Sequence, residues 1–221
     1  AHLMDSMAGT HLVPPAYALP LPDTQPQYSP EARGWLEEYE RSFGPRGFSS
    51  MTTDRVPLSW TCGPARVIDV RSLVGSTKAS ARPVSPTITA ESIRQDEAEH
   101  GPIRAGDVVI FRTGHLDTYF APAPHDAGVW ADPIAGRSEG WPAPDAAAID
   151  YLASRQVRCV ATDAPDLGGV DPKSAAMTYW ALGSREMVGV EFLHQVGAIE
   201  PNAYFLFAAI KIRDCHGGPG R

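Results

Sequence analysis

Short runs of apolar residues, each bounded by turn-forming residues, predict most of the β-strands of this chain. Runs of this kind are typical of strands that are buried within a sheet. Their order along the chain is mixed with helices but does not alternate regularly with them. This order predicts an α/β protein with a mixed β-sheet. The predicted strands are residues 63–70, residues 106–114 with their turn, residues 157–162, residues 187–190 and a long final strand at 204–212.

Helical periodicity and capping residues predict the helices. Ser29 offers a hydroxyl cap, Pro30 suits the first helical position, and Glu31 places an acid in the first turn. Residues 115–140 are predicted to be a loop, because glycine, proline and aspartate occur throughout them. The other predicted helices are a short one opened by Thr89, residues 145–155 and residues 174–183.

The block from about residue 18 to residue 55 is predicted to be a helical insertion. Its opening prolines exclude a regular helix or a central strand there. In the helix that follows, Trp35, Leu36, Tyr39 and Phe43 share one face. One interpretation of this face is core packing. The other is a lid over a binding site, because long segments near a site often carry function.

Composition narrows the class of protein. With 221 residues, 43% of them apolar and 20% charged, the chain is typical of a globular protein, and we expect a single domain over residues 1–221. The net charge of -7 argues against nucleic acid as a partner. The sequence shows neither a membrane-spanning run nor a secretory signal, so we expect a cytoplasmic protein that binds no membrane. Its three cysteines are too widely spaced for a zinc knuckle.

The most informative stretch lies near the start of the chain and reads Met-Ala-Gly-Thr-His-Leu-Val-Pro-Pro-Ala-Tyr from residue 7 to residue 17. It resembles the signature of the cyclase family, which includes kynurenine formamidase and isatin hydrolase and reads His-x-Gly-Thr-His-x-Asp-x-Pro-x-His. Gly9, Thr10, His11 and Pro15 match this signature. The first histidine is replaced by Met7, the aspartate by Val13 and the last histidine by Tyr17.

The resemblance covers nearly the whole chain and is strongest from residue 62 to residue 213. It implies the swivelling β/β/α arrangement of that family, in a single domain with a mixed sheet. It also implies a homodimer or a larger homo-oligomer. Because relatives carry an additional segment before the signature, we expect that an N-terminal piece is missing.

The resemblance also implies where a metal would be held in relatives. Two signature histidines, the aspartate, a distal histidine and a distal glutamate form a zinc or manganese site. The distal glutamate corresponds to Glu191, and the distal histidine falls near Tyr179. Valine has no donor atom, and methionine and neutral tyrosine are poor ligands for these metals. We therefore expect no metal and no other cofactor.

The residues that remain can transfer protons. His11 titrates near neutral pH and is the expected general base or acid, with Glu191 orienting it. Tyr17 and Tyr179 are expected to donate hydrogen bonds to an oxyanion in place of the lost metal. The residues expected to contact the substrate are Met7, Thr10, Val13, Trp35 and Tyr39.

Several of these residues also have a purely structural interpretation. His11 could be a buried structural histidine, and the two tyrosines could fill the space left by histidines. Glu191 is harder to explain in this way, because a buried unpaired carboxylate is costly. His115, His125 and Asp126 are predicted to be loop residues, one of which a loop near the mouth of the site could bring inward.

These observations lead to three hypotheses of function. The first is a metal-independent cyclase that performs an intramolecular cyclisation, aldol-type condensation or dehydration on a carbonyl-rich, polyketide-like small molecule of secondary metabolism. The second is a metal-dependent amide or lactone hydrolase of the kynurenine formamidase type, with Asp5 or the missing segment completing the ligand set. The third is a small-molecule binding protein that has lost catalysis.

Overall fold

The computed structural model describes residues 5–77, 84–122, 125–200 and 203–221. Its strands are β1 (His11–Val13), β2 (Cys62–Asp69), β3 (Thr87–Ile88), β4 (Val108–Arg112), β5 (Ala143–Pro144), β6 (Cys159–Thr162), β7 (Val188–Glu191), β8 (Tyr204–Leu206) and β9 (Gly218–Pro219). Its α-helices are α1 (Pro30–Phe43), α2 (Ala90–His100), α3 (His115–Tyr119), α4 (Ala131–Ile134), α5 (Ala146–Ser154) and α6 (Pro172–Ser184). Short 3-10 helices lie at Pro15–Tyr17, Leu58–Trp60, Arg71–Leu73 and Val196–Ala198.

The main sheet of the described chain has the order β8-β2-β4-β6-β7-β1-β9. Strands β2, β4, β6 and β7 run parallel to one another. The remaining strands, β8, β1 and β9, pair with their neighbours in the antiparallel sense. A small second sheet pairs β3 with β5. The α/β class with a mixed sheet, predicted from the sequence, is confirmed.

The two faces of the main sheet bury different apolar clusters. One face packs against α1, α2, α5 and α6, and contributes Val13, Val109 and Val160 to the larger cluster. The opposite face contributes Leu12 and Val190 to a second cluster. Because side chains alternate across a strand, His11 and Val13 of β1 lie on the helix-covered face while Leu12 lies on the other.

Three of the predicted helix starts are confirmed by their caps, whereas α6 begins at Pro172, two residues before its predicted start. Ser29 accepts a hydrogen bond from the Ala32 amide at 3.1 Å, and α1 ends at Gly44, whose φ of 83° suits glycine. Thr89 caps α2 and Asp145 caps α5 in the same way. These ends are local in sequence, which is why the sequence predicts them well.

Two predictions about the remaining chain are wrong. The final strand ends at Leu206 rather than continuing to residue 212. Beyond Leu206, the Ala208 amide donates to the Arg221 carbonyl and the Ile210 amide to the Pro219 carbonyl. These amides pair with the C-terminal tail and not with β2. The region 115–140 is not only loop, because it holds the short helices α3 and α4.

Within the described ranges, no helix combines the length and the apolar character that crossing a bilayer requires.

Candidate active site

The pairing of β1 with β7 brings the signature histidine to the distal glutamate. The antiparallel register places His11 directly opposite Glu191, so their side chains emerge on the same face of the sheet. The His11 Nε2 atom lies 3.2 Å from Glu191 Oε2. Both residues are nearly inaccessible to solvent, with exposed fractions of 5% and 1%. The structure therefore holds a buried histidine–carboxylate pair.

The other ring nitrogen of His11 fixes the form of the imidazole. Nδ1 lies 2.8 Å from the Gly9 carbonyl, which can only accept a hydrogen bond, so Nδ1 carries a proton. Burial by itself lowers the pKa of His11. The hydrogen bond and charge of Glu191, together with the Gly9 hydrogen bond and the charge of Asp166, outweigh burial, and the net effect raises the pKa above its usual value. Nε2 is consequently the basic nitrogen, and Glu191 stabilises its protonated form.

Glu191 is also held by its second oxygen. Oε1 accepts a hydrogen bond from the Tyr179 hydroxyl at 2.6 Å and another from the Leu167 amide at 2.9 Å. Burial, followed by the charges of Glu191 and Asp166, raises the pKa of Tyr179 well above its usual range. His11, Glu191 and Tyr179 thus form one buried chain of hydrogen bonds, which we call the His11 cluster.

Tyr17 lies beside this cluster and is open to solvent. Its ring meets the ring of Tyr179 edge-on, with centroids 4.9 Å apart, and 40% of the residue is exposed. The ring of His216, from the C-terminal tail, lies 6.2 Å away. Burial and the charges of Glu191 and Asp166 raise the pKa of Tyr17 to about 12, so its hydroxyl remains a proton donor at neutral pH.

A further carboxyl group, Asp166, belongs to this site and was missed by the sequence analysis. Its Oδ1 accepts hydrogen bonds from Trp141 Nε1 and from the amides of Gly168 and Gly169, at 3.1, 2.8 and 2.7 Å. Burial and the neighbouring charge of Glu191 raise the pKa of Asp166 to about 7, against the effect of these hydrogen bonds. Its position just after the buried strand β6 was the available signal, because ligand sites often lie beyond the carboxyl ends of parallel strands.

The signature residues expected to contact the substrate have different environments. Val13 is 4% exposed and lies in the core on the helix-covered face. It sits opposite Gly189, where an added Cβ would come within 2.9 Å of Leu167 Cδ1. Thr10 donates its hydroxyl to the Phe192 carbonyl at 2.7 Å. Met7 is partly buried against the same core.

Tyr39 is not placed where a substrate could reach it, which corrects that part of the expectation. The residue is fully buried, its ring packs 5.7 Å from that of Trp180, and its hydroxyl hydrogen-bonds Ser184 at 2.8 Å. Trp35, on the same face of α1, is partly buried against the core. The structure favours core packing for this face, and a lid over the site stays a prediction.

The two histidines predicted to lie in the loop have different environments: His115 is buried and His125 is exposed. His115 is brought inward: its Nε2 lies 2.8 Å from the Val129 carbonyl, and its ring packs 5.5 Å from that of Trp141. Burial lowers the pKa of His115 and keeps it neutral. His125 is exposed and Asp126 half-buried in the loop, while Asp5 is exposed and its Oδ1 accepts a hydrogen bond from the Met7 amide.

The residues at the family's metal-ligand positions do not fit a divalent cation. Val13 offers no donor atom, and Tyr179 stays protonated and donates a hydrogen bond to Glu191, so His11 and Glu191 are the only strong ligands left at these positions. In the part of the chain that the structure describes, no cluster of three or more histidine, cysteine, aspartate or glutamate side chains is arranged to hold a metal.

Two cavities open on the described surface, and neither is lined by His11 or Glu191. The larger, of about 990 Å³, is an open cleft beside β2 and the end of α2, lined by charged residues that include Arg66, Asp96 and His100. The smaller, of about 290 Å³, borders Gly168 and the start of α6. The smaller cavity therefore adjoins the turn that holds Asp166.

The fold and the site define a class: a mixed-sheet α/β protein whose buried titratable groups meet where the signature strand pairs with β7. Residues 3–168 match the family model described as "Putative cyclase". Because this match covers well over half of the chain, the protein belongs to the putative cyclase family. The resemblance predicted from the signature is confirmed.

A characterised relative and several solved structures are similar to the chain. The isatin hydrolase of Roseibium aggregatum is 31% identical over 185 residues, which cover 80% of this chain and 64% of that protein. This chain thus spans under two thirds of that relative's length. An isatin hydrolase bound to the product analogue thioisatinate superposes with a TM-score of 0.68 at 22% identity, covering 99% of this chain and 71% of that one.

A second solved structure agrees with the first. Isatin hydrolase A from Labrenzia aggregata, bound to benzyl benzoate, gives a TM-score of 0.66 at 20% identity, with coverage of 98% of this chain and 72% of that one. At these identities the similarity shows the fold alone.

Proposed function

We propose that this protein is a metal-independent cyclase, which performs an intramolecular cyclisation, aldol-type condensation or dehydration on a carbonyl-rich, polyketide-like small molecule of secondary metabolism. The observation that carries the proposal is the hydrogen-bonding of His11. Gly9 fixes the proton on Nδ1, and Glu191 faces the basic Nε2. At 3.2 Å, Nε2 and Glu191 Oε2 share one proton. When Nε2 turns from the carboxylate to a substrate, a base held beside a carboxylate in this way suits proton abstraction next to a carbonyl, which needs no metal-activated water.

The proposed reaction begins with His11. In the proposed step the substrate displaces Glu191 from His11 Nε2, which then takes a proton from the carbon next to a substrate carbonyl, and the adjacent Glu191 carboxylate stabilises the resulting imidazolium. Tyr17, whose hydroxyl stays protonated at neutral pH, donates a hydrogen bond to the enolate oxygen. The enolate carbon then attacks a second carbonyl of the same molecule, which forms the new carbon–carbon bond, and the alkoxide takes back a proton from the imidazolium.

Asp166 is assigned to the dehydration step. With a pKa of about 7, it holds a proton near neutral pH and can pass that proton to the leaving hydroxyl group. His11 removes a second proton from the carbon beside it, one water molecule leaves, and the imidazolium then returns its proton to the Asp166 carboxylate. Because both carbonyls belong to one molecule, the reaction is intramolecular and avoids the entropy cost of bringing two reactants together.

Tyr179 has a different role in this proposal from the one expected from the sequence. Because its hydroxyl donates to Glu191 Oε1, it positions the carboxylate instead of contacting an oxyanion. Tyr17 is left as the exposed hydroxyl of the pair. We also propose that the protein acts on a small molecule as a homodimer or larger homo-oligomer, which sedimentation velocity would measure.

A second candidate function is hydrolysis of an amide or lactone, and the similarity to isatin hydrolase favours it. This reaction needs a strongly nucleophilic water, which relatives of the kynurenine formamidase type obtain from a metal. The ligand positions of this chain do not fit that requirement. A third candidate, small-molecule binding without turnover, is favoured by the burial of His11, which is only 5% exposed.

Two measurements separate these candidates. The first is the metal content of protein purified without a histidine tag, by inductively coupled plasma mass spectrometry. We expect less than about a tenth of an equivalent of zinc, manganese or iron, because two good ligands hold a divalent metal weakly. About one equivalent that survives dialysis, together with chelator-sensitive hydrolysis of isatin, would establish the hydrolase instead.

The second measurement follows 1-phenylhexane-1,5-dione in deuterated water by NMR. The cyclase should exchange the protons beside the carbonyls and release 3-phenylcyclohex-2-enone with one water. Binding of this diketone with neither exchange nor cyclisation would support the binding protein.

A further inference from the structure

Four aromatic side chains form a cluster on the surface, which we call the aromatic surface: Phe120, Trp130, Phe192 and His194. The ring of Phe120 lies 6.2 Å from that of Phe192 and 5.4 Å from that of His194. The ring of Trp130 lies 6.1 Å from that of Phe192. Three separate segments of the chain therefore contribute rings to one place.

Three of these four rings are exposed to solvent. Phe120 is 55% exposed and Trp130 46% exposed, His194 is exposed, and Phe192 is half-buried. Contiguous exposed apolar surface of this kind commonly marks a binding site. The rings meet at interplanar angles from 40° to 80° rather than stacking, so part of each aromatic face remains available to a flat guest.

Phe192 is held in an unfavourable backbone conformation. Its φ is +62°, in the left-handed region that bulky side chains rarely adopt. The amide of Phe192 bonds to the Ala164 carbonyl, and its own carbonyl accepts the Thr10 hydroxyl at 2.7 Å. Strain that is retained in this way is concentrated at functional sites.

The aromatic surface adjoins the His11 cluster through the chain itself. Phe192 directly follows Glu191, and the Thr10 that binds its carbonyl directly precedes His11. The four rings lie on segments that follow β4 and β7, at the carboxyl ends of parallel strands, where open α/β sheets bind ligands.

A chain of contacts also joins this region to Asp166. The ring of His115 packs 5.5 Å from that of Trp141, which donates to Asp166, and 4.9 Å from that of Tyr119, which precedes Phe120.

We propose that the aromatic surface binds the planar, conjugated end of the substrate and so presents its carbonyl carbons to the His11 cluster. The inference rests on the proposed function and adds the substrate class: a molecule with an aromatic or extended conjugated ring at one end. Thr10 and the strained Phe192 link the two regions, so the signature strand sets the position of the ring platform.

Binding of a matched pair of diketones tests this assignment without turnover. The probes are 1-phenylhexane-1,5-dione and 1-cyclohexylhexane-1,5-dione, which carry a flat, conjugated ring and a saturated ring at the same position. The protein carries His11→Ala to prevent reaction. Saturation-transfer difference NMR titrations should show tighter binding of the phenyl compound. Phe120→Ala and Trp130→Ala should each weaken that binding about two- to tenfold and leave the cyclohexyl compound less affected.

Phe48→Ala is the matched control, because Phe48 has the same 55% exposed fraction as Phe120 but lies outside the aromatic surface. It should leave both affinities unchanged. Equal binding of the two probes, or equal effects of Phe120→Ala and Phe48→Ala, would overturn the assignment.

Phe192→Gly keeps the test independent of misfolding. Glycine adopts a φ of +62° without strain, so this variant should match or exceed the thermal midpoint of the parent while losing the preference for the phenyl probe. A stable glycine variant that keeps the preference contradicts the proposal.

Two other outcomes are distinguishable. If Phe120→Ala changes the sedimentation coefficient but not probe binding, the surface faces a second copy of the chain and the proposal is wrong. If the protein with His11 intact binds the phenyl probe preferentially but exchanges none of its protons, the aromatic surface stands and the proposed cyclase activity fails.

Discussion

Two histidine–carboxylate pairs in this chain have nearly the same geometry and opposite surroundings. His11 Nε2 lies 3.2 Å from Glu191 Oε2, and His100 Nδ1 lies 3.1 Å from Asp96 Oδ1. Both side chains of the first pair are buried, with His11 6% and Glu191 2% exposed. In the second pair only the histidine is exposed: His100 is 61% exposed and borders the open cleft of about 990 Å³, whereas Asp96 is 11% exposed. The first pair joins β1 and β7, which are neighbours in the sheet but distant in sequence. The second joins neighbouring turns of α2.

The difference shows that neither spacing nor cavity volume identifies the site. An exposed pair is screened by water and contributes little, about 0–1 kcal/mol. A buried pair interacts strongly, and removal of one partner leaves an uncompensated group in the interior. Perturbed titration supported by specific partners is what marks His11 and Asp166 as candidates for chemistry.

The largest expected effect is on the rate of proton exchange, which should depend on His11 and not on His100. His11→Ala should lower the rate of proton exchange from 1-phenylhexane-1,5-dione by about 10²–10⁴-fold, because a positioned base contributes that much. His100→Ala, the matched control, should leave the rate unchanged. Full exchange by the His11→Ala protein would remove His11 from the mechanism.

The second prediction compares how much each pair contributes to the free energy of unfolding. Glu191→Ala should lower the free energy of unfolding by about 3–5 kcal/mol, because it leaves His11, Tyr179 and the Leu167 amide without their shared buried acceptor. His100→Ala, which breaks the exposed pair, should cost no more than about 1 kcal/mol. Urea unfolding of both variants measures the difference, and equal losses would mean that burial of the Glu191 pair is unimportant.

A third prediction concerns the pH dependence of stability at Asp166. Its pKa in the folded protein, about 7, lies above that of an unfolded aspartate, so folding favours the protonated form. The stability from this group is present below about pH 4 and is lost as the pH rises to about 7. Asp166→Asn should flatten the decline of the thermal midpoint across that window, since the amide cannot ionise. A decline as steep as that of the wild type would place the titration at another residue.

The sequence by itself determined the features that depend on nearby residues. Ser29, Thr89 and Asp145 mark helix starts because each cap bonds to an amide three residues later. Apolar runs marked the strands buried within the sheet, and the signature around Gly9, Thr10 and His11 indicated the family. Glu191 was identified because it corresponds to the distal glutamate of the family that the signature resembles.

Only the tertiary structure decided which of these residues meet. The register of β1 against β7 brings together groups that are 180 residues apart, and a shift by one residue would turn Glu191 to the other face. The same periodicity that places Tyr39 on the apolar face of α1 is compatible with a lid or a core, and packing against Trp180 places it in the core. Asp166 and the aromatic surface depend on turns after separate strands, whose distances in space no local pattern encodes.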